Sequence, residues 1–361
     1  HGKDYIAADD SVGVTRLKQA GAVILGKTNV PPSLGDWQAA NPIYGRTNNP
    51  LDLTRSPGGS SGGGAAALAA GMVPLEFGSD IGGSIRVPAA FCGVFGHKPT
   101  WELIPSRGHV PPFAPTTGAP VHLGVVGPLA RSIDDLSLAL SVLAGPEEME
   151  ARGLTLTLPP PRHDRISGYR VLVLDSHPLA ATSSAIGGAV NDLAERLARA
   201  GATVSRQSPL LPDIAAQQPV YLGMLGAITS RGARAGPDAP ARPQMAVHDW
   251  MNLVDAQMAF RLAWGELFRE IDVVIAPAFG TVAYPHNQNP DWAARTLTID
   301  GRQTPYGAQI AWPGVATLPN LPATSVPVAQ DPDGLPINVQ VIGPHLEDRM
   351  TIAFAGMLSG L

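Results

Sequence analysis

The stretch from Ser56 to Thr100, SPGGSSGGGAAALAAGMVPLEFGSDIGGSIRVPAAFCGVFGHKPT, constrains the fold more than any other part of the 361-residue sequence. Glycine, alanine and serine dominate its first part. Residues this small let main chains approach closer than larger side chains allow, so the stretch predicts backbone packed directly on backbone. It holds two glycine-flanked serine sites, Ser60-Ser61 and Ser84. Hydroxyls beside crowded, uncovered amides suit a nucleophile aimed at a carbonyl, with N–H groups ready to receive an oxyanion. GGSSGGG on its own reads as a flexible linker, but linkers do not run straight on into AAALAAG and DIGGSIR.

The rest of the composition narrows the options. A hydrophobic content of 44 % and a charged content of 15 % describe a compact chain with a sizeable core. A net charge of -5 gives no reason to expect nucleic acid or an anionic membrane as partner. The single cysteine, Cys92, excludes an internal disulfide and fits a reducing, cytoplasmic compartment. It lies amid AAFCGVF, the setting of a buried small residue rather than a second nucleophile. No apolar run approaches a bilayer span. Neither H-E-x-x-H nor paired Cys/His spacing occurs, so no metal and no cofactor are expected. Ser84 sits in GGSIR, not in the G-x-S-x-G of a nucleophile elbow. His97, His109 and His122, the histidines nearest to it in sequence, read as structural or surface residues.

Along the chain, DSVGVTRLKQA (10–20) has helical spacing and stops at Gly21, and AVIL (22–25) reads as a short buried strand. Residues 30–53 read as loop. Beyond Thr100 turn-like sequence continues to Gly127-Pro128, and Ser132 caps a helix carrying Leu136, Leu140 and Leu143. Residues 146–168 form a surface excursion. RVLVLD (170–175), an amphipathic helix over 182–200 and ATVSRQ (202–207) make a β-α-β unit, which implies parallel strands. Helices follow around 220–229 and over 249–269. Strands follow over 272–279, 321–329 and 337–344, and a last helix covers 347–358. The expectation is an α/β fold: a central mixed, largely parallel β-sheet flanked by helices on both faces, in one domain over 1–361.

DIGG before Ser84 supplies consecutive backbone donors at Ile81, Gly82, Gly83 and Ser84 itself, a candidate oxyanion hole. GGSSGG followed by DIGGSIR, with AGAVILGKTN and NPIYGRTNNP upstream and FCGVFGHKPT and GLPINVQVIGP downstream, resembles the amidase signature family. The resemblance implies hydrolysis of a carboxylic amide through a Ser-cis-Ser-Lys triad. Ser84 matches the nucleophile and Ser60 the bridging serine that relays its proton. Ser61 and Ser79 match supporting hydroxyl positions, and Asp80 and Arg86 match a pair that holds the nucleophile turn. The implied partner is a small-molecule amide, with no nucleic acid and no membrane, and a homodimer is allowed. Two alternatives stand beside this reading: the ammonia-generating subunit of a tRNA-dependent amidotransferase, and a catalytically degenerate binding protein of the same fold.

The family's lysine follows a strand-borne G-x-P run well upstream of the bridging serine, and no lysine here matches it. Lys3-Asp4 imitates its ending but lies too near Ser60, while Lys27 and Lys98 fall in segments the family uses structurally. The expectation is therefore an N-terminally incomplete domain, inactive by itself. Leu34, Gly35, Trp37 and Trp312 are the candidate substrate-pocket residues, from loop position and loose resemblance.

Overall fold

The computed structural model of the protein describes residues 4–110, 119–230 and 244–361. Lys3 and the Gly/Ala/Pro/Arg stretch at 231–242 lie outside them. In chain order, helix α1 (Val12–Gln19) is followed by a small hairpin of β1 (Ala40–Asn41) and β2 (Gly45–Arg46). The signature stretch gives α2 (Gly62–Ala69), β3 (Leu75–Asp80), α3 (Arg86–Cys92) and β4 (Phe95–Lys98). Then come β5 (Val125–Ala130), α4 (Ile133–Leu143), β6 (Arg170–Val173), α5 (Ser184–Arg199) and β7 (Thr203–Ser205). The last part holds α6 (Ile214–Ser230), α7 (Val247–Glu270), β8 (Val273–Pro277), the hairpin β9 (Thr296–Ile299) and β10 (Arg302–Pro305), α8 (Ala311–Thr317), β11 (Ala323–Gln330), β12 (Pro336–Ile342) and α9 (Asp348–Leu358).

Eight of the strands form one sheet in the order β3-β5-β4-β11-β12-β8-β6-β7. The alternation of side chains along a strand explains why its apolar runs are continuous. Val171 and Val173 face the core formed by α4, α5 and α9, whereas Leu172 and Leu174 face Trp264 and Leu267 of α7. Val273 and Ile275 likewise point to the first core, and Val274 and Ala276 to the second. Both faces are covered, as expected for an α/β fold.

The direction of pairing corrects one expectation. The sheet is mixed, but only the β6-β7 and β6-β8 pairings are parallel, and every other pairing in it is antiparallel. The β-α-β unit is the only stretch whose sequence reveals a direction, and that direction does not extend to the whole sheet. β5 is hidden in the sequence by its Gly127-Pro128. At Pro128 the strand pairs with β3 alone, because its ladder to β4 covers only Leu129 and Ala130, so the missing N–H removes no bond on that side. The strand expected at 22–25 does not form. Val23 is 82 % and Leu25 75 % exposed, and no strand among the described residues pairs with the segment.

Candidate active site

β3 ends at Asp80, and the chain turns through Ile81-Gly82-Gly83-Ser84 into α3. The Asp80 carboxylate organises this turn. Its Oδ1 accepts the Gly83 amide at 2.9 Å and Arg86 at 2.8 Å, and its Oδ2 accepts the Ile85 amide at 3.1 Å and Arg86 Nε at 3.1 Å. Arg86 is in turn fixed by Gln340 Oε1 (2.7 Å), Thr317 Oγ1 (2.9 Å) and the Pro313 carbonyl (3.1 Å). Asp80 and Arg86 are both fully buried. A buried charge without its partner would carry a large desolvation cost, so every bond of this pair matters. Burial alone would raise the Asp80 carboxyl, but Arg86, Lys98 and the Gly83 amide outweigh it and hold the group below the usual carboxylate range. Gly83 has φ +95° and lies against Pro313 and Val87, a conformation and a closeness that exclude a side chain.

The second serine turn packs against the first. The Gly59–Ser60 peptide is cis, and the Ser61 amide donates to the Ser84 carbonyl at 3.1 Å. Ser60 is 1 % and Ser84 7 % exposed, so both hydroxyls sit in a shielded environment. Ser61 opens α2, with its hydroxyl against the backbone of Gly78 where no side chain intervenes. Ser79 is half-buried on β3, paired with Val126.

Of the four candidate oxyanion donors, Gly83 is already committed to Asp80. The amides of Ile81, Gly82 and Ser84 donate to no acceptor among the described residues. The free donor set is thus three amides, because the carboxylate that shapes the turn consumes the fourth.

The pocket candidates divide. Trp312 is fully buried among Leu172, Trp264, Val274 and Ile342, with its ring near-perpendicular to His177. Its neighbours come from β6, β8, β12 and α7, so the ring serves packing. Trp37 is also buried, and its indole Nε1 donates to the Gly82 carbonyl at 2.8 Å, so it braces the Ile81–Ser84 turn. Leu34, half-buried, and Gly35, exposed, lie on a turn with positive φ at Ser33 and Leu34, and neither hydrogen-bonds the Ile81–Ser84 turn. Sequence reasoning missed Gln340, Thr317 and Tyr221. Only Gln340 carried a signal, as a polar residue inside the apolar run INVQVIGP.

The other titratable groups nearby are occupied. Lys98 is fully buried, and burial followed by the charge of Arg86 lowers its amine to about 7. Its Nζ donates to the Pro99 carbonyl at 2.9 Å and to neither serine among the described residues. Lys27 is exposed, and Lys18 pairs with Asp10. His97 is buried between Thr324 and Asp348, His122 bonds Gln257, and burial pushes the Cys92 thiol up. No group of three or more His, Cys, Asp or Glu among the described residues is arranged to hold a metal ion.

The amidase family model matches residues 2–235 and 239–352. The chain belongs to the amidase family. A glutamyl-tRNA(Gln) amidotransferase subunit from Deinococcus deserti is 32 % identical over 402 residues, spanning 99 % of this chain and 78 % of that protein. The corresponding protein of Saccharolobus solfataricus is 29 % identical over 392 residues, spanning 99 % and 78 %. A solved structure described as a vestigial protein complex that reveals the evolutionary origins of an s-triazine catabolic enzyme superposes with a TM-score of 0.81 at 30 % identity, covering 98 % of this chain and 77 % of that one. These amidase relatives overturn the expectation of a small-molecule partner without nucleic acid. They are named as one subunit of a tRNA amidotransferase, and the solved neighbour is described as a complex. Net charge was a poor guide, because the overall charge of one component says nothing about which face meets a partner. No helix among the described residues is long and apolar enough to cross a membrane.

Proposed function

We propose that this amidase hydrolyses a carboxylic amide through Ser84. Ser84 Oγ attacks the amide carbon while its proton passes to Ser60 Oγ, which hands its own proton on to an amine base beyond it. The oxyanion that forms is received by the free amides of Ile81, Gly82 and Ser84, each donor of this kind contributing about 3 kcal/mol in the transition state. Collapse breaks the C–N bond as that proton returns through Ser60 to the leaving nitrogen, and water, giving its proton to the same relay, then cleaves the ester to release the acid and restore the Ser84 hydroxyl. The observation that carries this reading is the Asp80-organised turn, which presents one buried serine hydroxyl together with three amides that have no other acceptor among the described residues. The amine base beyond Ser60 is not assigned to Lys18, Lys27 or Lys98.

The test is a panel of amides, from primary aliphatic to anilide, given to the whole protein. Ser84→Ala should abolish turnover, and Ser60→Ala should lower it on the order of a hundredfold or more with cooperative melting retained. Turnover of Ser84→Ala at the wild-type rate would move the nucleophile elsewhere.

A second reading is supported by the names of the relatives: an ammonia-releasing subunit that works with partner proteins on an aminoacylated tRNA. Its distinguishing result is glutamine turnover that rises when partner subunits co-purify with the chain.

A further inference from the structure

The Ile81–Gly82–Gly83 backbone is held by two buried aromatic donors from outside the signature stretch. Tyr221 of α6 donates its hydroxyl to the Ile81 carbonyl at 2.6 Å. Trp37 donates its indole N–H to the Gly82 carbonyl at 2.8 Å. In a trans peptide unit the C=O of one residue and the N–H of the next point in opposite directions, so pinning the carbonyl aims the amide. Tyr221 therefore turns the Gly82 N–H away from α6, and Trp37 turns the Gly83 N–H onto Asp80 Oδ1, where it is found.

Each donor is itself immobilised. The Tyr221 ring is fully buried with Leu123, Met224 and Leu318 and lies over Gly314, where a side chain would collide with it. Burial first, then the nearby Asp80 charge, pushes its phenol up, so the hydroxyl keeps its proton through the working range. Trp37 packs edge-on against Phe279 at 5.1 Å and against Tyr306 at 5.1 Å. Its carbonyl accepts Tyr284 Oη at 2.8 Å and Ser56 Oγ at 3.2 Å. The preceding Asp36 is locked by Tyr306 Oη at 2.7 Å and Arg295 at 2.6 Å.

Neither side chain offers its donor to a substrate, since both donors are spent on the turn. We propose that Tyr221 and Trp37 are positioning residues: Tyr221 fixes the Ile81–Gly82 plane and so aims the Gly82 amide at the developing oxyanion, while Trp37 fixes the next plane and keeps the Gly83 amide on Asp80, so that the turn holds its shape. The assignment rests on the Ser84 chemistry proposed above. A glycine pair has wide conformational freedom, and a misaimed amide loses part of the hundredfold or greater effect of a good oxyanion donor.

The experiment is the rate of inactivation of the whole protein by a fluorophosphonate, whose phosphoryl oxygen occupies the oxyanion position. Tyr221→Phe and Trp37→Phe each keep an aromatic ring and remove the donor. Each should lower kinact about tenfold with KI within twofold and cooperative melting retained. Tyr169→Phe, which removes a buried hydroxyl bonded to the His163 carbonyl far along the sheet, should leave kinact unchanged. Unchanged kinact in both donor variants, or a fall equalled by Tyr169→Phe, overturns the positioning role. If Trp37→Phe does not fold, Tyr221→Phe decides alone, since it removes a single oxygen atom. Ser84→Ala run in parallel separates the two levels. Labelling that survives there refutes the Ser84 reading itself, whereas its loss alongside unchanged donor variants refutes only the positioning role.

Discussion

The two wings of the sheet are held by different physics. In the β8-β6-β7 wing the strands are parallel, β6 and β8 are largely apolar, and α5 packs its Ile186, Val190, Leu193 and Leu197 against the sheet. Its Asp272 is fully buried, but the partners that hold it, Arg162 and Arg170, are both partly exposed. In the β3-β5-β4 wing and the β11-β12 strands beside it, the interior is threaded with fully buried polar groups. Asp80, Arg86, Thr317 and Gln340 form one network, and His97, Asp348, Thr100 and Thr324 another. Apolar burial tolerates small displacements, whereas a hydrogen-bonded network fixes directions. Under the proposed Ser84 chemistry, the wing that must aim a hydroxyl and three amides is the one built from hydrogen bonds.

The sharpest way to break this contrast is to remove the arginine from each wing. Arg86→Met leaves Asp80 buried and unpaired, so we expect a loss of about 3–5 kcal/mol in chemical denaturation together with loss of fluorophosphonate labelling. Arg170→Met, by contrast, removes a residue that is 42 % exposed and leaves Arg162 on Asp272, for about 1 kcal/mol or less and full labelling. Equal costs at the two positions would erase the distinction. Next in size, Leu172→Ala empties a fully buried site in the parallel wing and should cost about 2–5 kcal/mol, while the labelling rate per folded molecule stays at the wild-type value. A labelling rate that falls with stability would mean that the wings are mechanically coupled.

The same contrast governs what could be read from the sequence. The parallel wing was legible because RVLVLD, the 182–200 helix and ATVSRQ show their period and their connection directly. The site wing was legible only as a motif. Its strands are interrupted by Gly78, Gly127 and Pro128, which mask the two-residue period. The two serines and the Asp80–Arg86 pair lie close in sequence and could be named from it. Tyr221 and Trp37 reach the turn at Gly82 only through tertiary packing, and no local pattern marks a side chain whose one polar atom meets a carbonyl far along the chain. Trp312 shows the matching limit: in sequence, a large aromatic on a short segment looks the same whether it lines a cavity or fills a core.

A last contrast between the wings lies in pH dependence. Below about 7 the folded protein must carry the Lys98 ammonium that burial and Arg86 disfavour. As pH rises from about 7 towards 10.5, the unfolded chain still holds this proton while the folded chain has released it, so stability rises across that window. Lys98→Met should flatten the rise in a melting series. In the other wing burial would raise Asp272, but hydrogen bonds from Arg170 and Arg162 outweigh it and bring the carboxyl to about 2. Its contribution is present above the ordinary value of 3.8 and is lost only as pH falls towards 2. A series that is flat for the wild type between pH 7 and 10 would show that Lys98 does not titrate as its surroundings dictate.

Everything assigned to the site wing depends on one hydroxyl, and mapping a fluorophosphonate adduct on the whole protein by peptide mass spectrometry tests it directly. The account predicts a single modified peptide carrying the adduct on Ser84, absent from Ser84→Ala. An adduct on Ser60, Ser61 or any other residue, or undiminished labelling of Ser84→Ala, would contradict it.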